Sequence, residues 1–137
     1  MPSTYRLDPR LEADSVPVIE LPLSSVRLSR DANYPWLIVV PRLPDLADLT
    51  DLTDYDRRWA MDEVARVGRA LQAETGAHKL NIANLGNMVR QLHIHVIARF
   101  ETDPAWPGPV WGKLPSRPYE PAAEADLVAR LRGRLQD

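Results

Sequence analysis

The chain reads as an α+β domain: an antiparallel sheet with helices gathered on one face. Three observations predict it. The order of patterns is strands, helix, strands, helix, and the strand connections are short enough for antiparallel pairing. The stretch 54–75 carries one apolar stripe at helical spacing, Ala60, Val64, Val67 and Leu71, separated by 4, 3 and 4 residues. The run WLIVVPR (36–42) is apolar and rich in β-branched residues up to Pro41, as a central strand must be.

Taken in chain order, DPRLEADS (8–15) is a short helical turn or loop. PVIELPLSSVRLSRD (17–31) holds strand-like pieces broken by Pro22. Val26 and Leu28 alternate with Ser25, Arg27 and Ser29, which predicts a half-buried strand ending near Arg30. DANYP (31–35) is turn chemistry, and WLIVVPR follows as a strand stopped by Pro41, so the two strands form a hairpin. The acidic stretch 43–54 is a loop with a helical turn. Thr53 caps the helix 54–75, with Asp56 at the capping-box position and Gly76 at the end. KLNIANLG (79–86) gives a short strand and a turn. MVRQLHIHVIARF (88–100) reads as the longest strand. Residues 101–120 hold too many prolines and tryptophans for regular structure. A last helix covers about 121–135, opened by Pro121 and striped by Leu127, Val128, Leu131 and Leu135.

The chain has 137 residues, which fits one domain, 1–137, with its core at about 16–100. There is no cysteine, so disulfides, thiolate metal sites and cysteine nucleophiles are excluded, and a reducing cytoplasm suits the composition. The opening residues are polar and acidic rather than signal-like, and no apolar run is long enough to span a bilayer. Net charge is −2 with no basic stripe, which argues against a nucleic-acid polymer or a membrane as partner.

Two of the three histidines, His93 and His95, stand one residue apart in the strand-like run. Period-2 alternation sends Leu92, Ile94, Val96 and Ala98 to the helix side. It sends Gln91, His93 and His95 to the other side, roughly 7 Å from one to the next. Three readings fit that row. It is an ordinary polar strand face, or a metal chelate, or a nucleophilic centre. The chelate lacks a third protein ligand at useful spacing, His78 lying in a turn before the strand. For the third reading, a neutral imidazole attacks phosphorus well near pH 7. Such chemistry also needs a second donor at the leaving atom and amide groups for the phosphoryl oxygens. GNMV (86–89) supplies the last: a turn at Gly86, the Asn87 amide, and the Met88 and Val89 backbone N–H groups.

At this point ANLGNMVRQLHIHVIARF (83–100) resembles the active-site strand of the histidine triad (HIT) proteins, whose signature alternates three histidines with apolar residues. The hairpin ending in WLIVVPR, the helix, the strand with Asn81 and the histidine run follow the family's order over about residues 16–100. WPGPVWG (106–112) resembles bacterial members. The resemblance implies an antiparallel sheet of about five strands, extended by dimerisation. It implies a nucleotidyl hydrolase or transferase that cleaves the α-phosphate linkage of a nucleoside phosphate, either a dinucleoside polyphosphate or a nucleoside phosphoramidate. His93 matches the nucleophile, and His95 the residue that contacts phosphate oxygens and assists the leaving group. Gln91 stands in place of the first histidine, where an amide still donates and accepts. Asn87 matches a phosphate-binding position, Met88 replaces a common serine, and Asn81 matches an asparagine near the phosphate. Asp31 matches an acidic residue that grips ribose hydroxyls, with Asn33 as its rival. No cofactor is built in, and Mg²⁺ would enter only with a polyphosphate. The implied ligand is a purine nucleotide. The alternative is a nucleotide-binding module without catalysis, favoured by Gln91 and Met88.

Trp106 and Trp111 are candidates for a sheet-edge plug, a base pocket or an interface. Trp59 and Met61 lie off the apolar stripe of the helix, which suggests a second burial surface there. HIT relatives pair through this helix and an adjoining edge strand, so a homodimer is expected. The rival placement puts Trp59 under the acidic loop 43–52.

Overall fold

The structure, a computed structural model, describes residues 4–136; positions 1–3 and 137 of the expected domain lie outside the described residues. A five-residue helix, α1 (Pro9–Ala13), leads into β1 (Ser15–Glu20), β2 (Ser24–Ser29) and β3 (Trp36–Pro41). A single 3-10 turn (Leu49–Asp51) precedes α2 (Asp54–Thr75), then come β4 (Lys79–Ala83), β5 (Ile94–Arg99) and α3 (Pro121–Leu135). All five strands form one antiparallel sheet in the order β1-β2-β3-β5-β4. Among the described residues no helix is long and apolar enough to cross a membrane.

Helix α2 forms where its caps and stripe dictate. The Thr53 side chain accepts from the Asp56 N–H, and Gly76 ends the helix at φ 70°, a left-handed conformation that a Cβ disfavours. Ala60, Val64, Val67 and Leu71 are all buried against the sheet. Each of the three larger ones contributes about 1.5–3 kcal/mol by leaving water. The main core joins them to Val26 and Leu28 of β2, Leu37 and Val39 of β3, and Ile94, Val96 and Ala98 of β5. Leu131 and Leu135 of α3 close its end, with Leu127 and Val128 at the margin.

The opposite sheet face is not open, as the expectation of a half-buried β2 implied. Every residue of β2 is buried, because irregular segments cover what α2 and α3 leave bare. Leu11 of α1, with Tyr5 and Leu7, packs on Ile38 and Val40. Ala105 and Val110 of the proline-rich segment pack on Ile97 and Tyr34, with Trp36 and Trp111 at the edge. That segment is anchored by Arg99, 1% exposed, whose guanidinium bonds the Asp103 carboxylate, the Gly108 carbonyl and the Asn81 side chain.

The run 88–100 is not one long strand. Pairing begins only at Ile94. The register Val39↔Ile94 would set Pro41 opposite Leu92, and proline has no N–H to continue the ladder. The Leu92 N–H turns instead to the Leu46 carbonyl at 2.9 Å. Residues 84–93 are thereby released from the sheet and form the loop that carries His93.

Candidate active site

A cavity of about 840 Å³ opens on the outer sheet face and holds both histidines. Its wall includes the loop residues Leu85, Gly86, Asn87, Met88 and Val89, the α1 side through Leu11 and Asp14, and Trp36 with Ile38 from β3. Ser29, Arg30 and Asp31 contribute from the end of β2, and Trp111 and Ser116 from the proline-rich segment. His93 and His95 are 4% and 6% exposed, with ring centroids 4.9 Å apart. They are not an exposed polar face, and among the described residues no group of three or more His, Cys, Asp or Glu side chains comes together in a metal-holding arrangement.

The hydrogen bonds assign the protons. His93 Nδ1 lies 2.6 Å from the Gln91 carbonyl oxygen, which only accepts, so Nδ1 carries the hydrogen and in the neutral ring the lone pair is on Nε2. His95 Nε2 donates to the Leu85 carbonyl at 2.7 Å, and its Nδ1 accepts from Trp36 Nε1 at 3.0 Å. Burial pushes the His95 pKa down to about 4, with His93 adding to the fall and the Leu85 bond opposing it, so His95 is neutral at pH 7. Asn84 braces the loop from below: its amide donates to the His93 carbonyl and its oxygen accepts from the Leu49 N–H. The N–H groups of Asn87, Met88 and Val89 have no protein acceptor among the described residues, so they are available to an anion at the cavity wall.

Gly86 is required by contact rather than by conformation. A Cβ there would sit 2.7 Å from the Val89 carbonyl and 2.9 Å from His93 Cε1. Gly86→Ala is expected to displace the His93 ring and to lower kcat by about tenfold to a hundredfold. The melting temperature should move little, and steady-state kinetics beside a thermal melt checks both.

The expected site residues divide. His93, His95, Asn87, Met88, Val89 and Asp31 all line the cavity. Asp31 Oδ1 is already shared by the Asn33 and Arg117 N–H groups, while Oδ2 makes no hydrogen bond to the described residues. Three others are placed elsewhere. Asn81 shares the histidines' sheet face but is spent on Arg99, farther along the sheet. Asn33 donates to the Pro115 carbonyl and does not reach the cavity. Gln91 is not in a row with the histidines, because the chain has left the strand there. Its amide accepts from the Asp8 N–H at 2.8 Å and donates to the Arg6 carbonyl at 2.7 Å. It pins the N-terminal arm whose next turn supplies Leu11 and Asp14 to the cavity. Because the Gln91 side chain lies outside the cavity, Gln91→His should change kcat/KM by no more than about tenfold, or 1.4 kcal/mol. A near-total loss would show that the arm needs the amide.

Sequence reasoning missed Trp36, Asn84 and Arg30. Trp36 stands two residues before Ile38, the β3 partner of His95, and so on the same sheet face. Its indole was therefore findable once β3 and β5 were paired. Of the two candidate tryptophans, Trp111 lines the cavity, and Trp106 lies over the Arg99 guanidinium instead.

Fold and site together define a small α+β domain with a histidine pair buried in a cavity on its sheet. The family profile of the HIT domain matches residues 10–102, and the chain belongs to the HIT family. It is similar over nearly its whole length to three bacterial histidine triad proteins of known structure. The one from Bradyrhizobium japonicum is 42% identical, with a TM-score of 0.95 over 98% of this chain and 100% of that one. The one from Sinorhizobium meliloti is 45% identical, with a TM-score of 0.93 over 96% and 98%. The one from Marinobacter aquaeolei is 38% identical, with a TM-score of 0.93 over 97% of each. A protein from Sulfolobus tokodaii described as a hypothetical histidine triad nucleotide-binding protein shares the fold at 20% identity and a TM-score of 0.67, over 92% of this chain and 87% of that one. A comparison with curated proteins finds no similar sequence.

Proposed function

We propose that the protein is a nucleotidyl hydrolase or transferase whose nucleophile is His93. The observation that carries this is the fixed tautomer of His93: its Nδ1–H is spent on the Gln91 carbonyl, which leaves the Nε2 lone pair for attack. Membership in the HIT family and the nucleotide-binding name of a relative of the same fold support a nucleotide as ligand, and a purine is the base proposed for it. In the first step a bond forms between Nε2 and the α-phosphorus as the bond to the leaving group breaks. The N–H groups of 87–89 receive the phosphoryl oxygens, and the neutral His95 donates a hydrogen bond from Nε2. Water then attacks the same phosphorus, the phosphorus–nitrogen bond breaks and returns the lone pair to Nε2, and a nucleoside monophosphate leaves while the water's proton passes to solvent. Asp31 offers its free oxygen to the ribose hydroxyls. Mg²⁺ enters only as the companion of a polyphosphate.

The test is a panel of adenosine and guanosine phosphoramidates and dinucleoside polyphosphates, with products separated by chromatography and the protein quenched for mass spectrometry. An acid-labile, base-stable nucleotidyl adduct on His93 is expected. Tight binding with no adduct and no product would instead make the protein a nucleotide-binding module.

The same reading includes a homodimer. Tyr55 and Trp59 of α2 are 67% and 37% exposed and stack edge to face, so Trp59 is not tucked under the 43–52 loop. Ile82 of β4 is exposed, and the outer edge of β4 pairs with no described strand. Met61, by contrast, packs at the margin of the core and drops out of this surface. Light scattering at micromolar concentration should give twice 15.5 kDa, and Trp59→Glu should shift it toward the monomer. A monomer mass for the unaltered chain would remove the dimer.

A further inference from the structure

We propose that Trp36 is the positioning residue that locks His95 in its Nε2–H tautomer, so that the cavity always meets a neutral hydrogen-bond donor. This deepens the assignment of His93 and His95 as the reaction centre and rests on it. The indole N–H only donates, and it points at His95 Nδ1 from 3.0 Å. The Leu85 carbonyl only accepts, and it receives Nε2 from 2.7 Å. Each partner disfavours the other tautomer, and the indole also opposes the imidazolium, whose Nδ1–H would face its N–H, whereas the Leu85 carbonyl accepts from the neutral and the charged ring alike.

The indole is itself held. It meets the His95 ring at 5.5 Å and 64°, and Trp111 at 5.6 Å and 87°. Trp111 meets His95 at 5.1 Å and 78°, so the three rings form a closed triangle of edge contacts. The titratable group against the His95 ring is His93, on the approach to its own strand. From β3 it meets Trp36 and Ile38, from the 84–89 loop the Leu85 carbonyl, and from the proline-rich segment Trp111. Asp14, Arg30 and Asp31 lie farther round the cavity wall. Among the described residues no carboxylate stands against the ring to favour its cation, and burial works in the same direction as the indole.

The consequence concerns the phosphoryl group. With Nε2–H fixed, a phosphoryl or leaving oxygen that enters beside the Leu85 carbonyl can share the His95 hydrogen with it, since both residues line the cavity. In the other tautomer the Nε2 lone pair would face that oxygen and repel it. Freed of the lock, a fraction of the protein would present the wrong atom.

The test needs no substrate in its first arm. With ¹⁵N-labelled histidine, His95 should show a protonated Nε2 and an unprotonated Nδ1 from pH 8 down to pH 5.5. A protonated Nδ1 in the unaltered protein would overturn the proposal outright. Trp36→Phe keeps an edge-on ring and removes the N–H. It should give a tautomer mixture, a cation that appears at higher pH, a kcat lower by about tenfold with KM nearly unchanged, and an acid limb of activity moved upward. An unchanged His95 spectrum and pH profile in Trp36→Phe would also overturn it. If the locked spectrum is present but no substrate is turned over, the functional reading fails and the lock stands. If an adduct forms on His93 while Trp36→Phe behaves as the parent, the lock alone fails.

Discussion

His93→Ala is expected to lower kcat/KM by at least about a thousandfold. Deleting a nucleophile that acts as a unit with its partners removes the covalent route altogether, and what survives is binding and the polar groups around the phosphate. The fold should tolerate the change. The imidazole is buried, but it borders the cavity rather than the main core, and its Nδ1 bond is to its own loop, two residues back. Truncation leaves the Gln91 carbonyl facing a space that water can enter. A thermal melt close to the parent's, no adduct by mass spectrometry and no product in a timed assay make up the expected result. Retention of most activity would mean that another group attacks phosphorus. His95→Ala should be the milder lesion, and mildest where the leaving group is already a weak base, because a neutral imidazole with its pKa pushed to about 4 contributes a hydrogen bond rather than a proton at pH 7.

What the sequence made legible follows from where the deciding forces are local. Helix α2 could be read end to end, since Thr53, Gly76 and the stripe from Ala60 to Leu71 are each properties of a few neighbouring residues. The two hairpin strands and the inward set Leu92, Ile94, Val96 and Ala98 were legible for the same reason, and all four are buried. The start of β5 was not, because it is decided by Pro41, across the sheet and far back in the chain. The role of Gln91 was not, because its amide bonds Asp8, 83 residues away, and nothing in the pattern around Gln91 points to that arm. The outer cover was not, because segment 101–120 has no hydrophobic period; its order comes from one buried ion pair and a few aromatic contacts. His93 and His95 were found because a strand-like alternation exposed them. Asn81 and Asn33 were placed by likeness alone, and each was claimed by a structural hydrogen bond.

That buried ion pair should also be the costliest structural contact to break. Arg99 and Asp103 have side chains 1% and 6% exposed, joined by two hydrogen bonds of 2.8 and 3.1 Å. Asp103 accepts further from the N–H groups of Phe100, Ala105 and Trp106. Burial alone would raise its pKa, but the Arg99 guanidinium and these three amides outweigh it and hold the carboxyl down to about 2. Removing one partner leaves the other charge buried, a loss of about 3–5 kcal/mol. For a domain of this size Asp103→Ala should therefore lower Tm by roughly 10–20 °C. Asp103→Asn, which keeps the shape, should lie between it and the parent. Because the folded pKa is depressed below the unfolded value, the carboxylate's contribution is complete above about pH 5 and is lost as pH falls toward 2. The gap in stability between the parent and Asp103→Asn should therefore be widest near neutrality and shrink steadily on acidification, as denaturant melts at pH 7, 4 and 2.5 would record. The same substitution should loosen Trp111, since Arg99 holds the Gly108 carbonyl only three residues before it. A rise in KM for nucleotide at pH 7, with the His93 adduct still formed, is the expected functional trace. A gap in stability that stayed constant across pH would mean that Asp103 acts through its shape and its backbone contacts, and not through its charge.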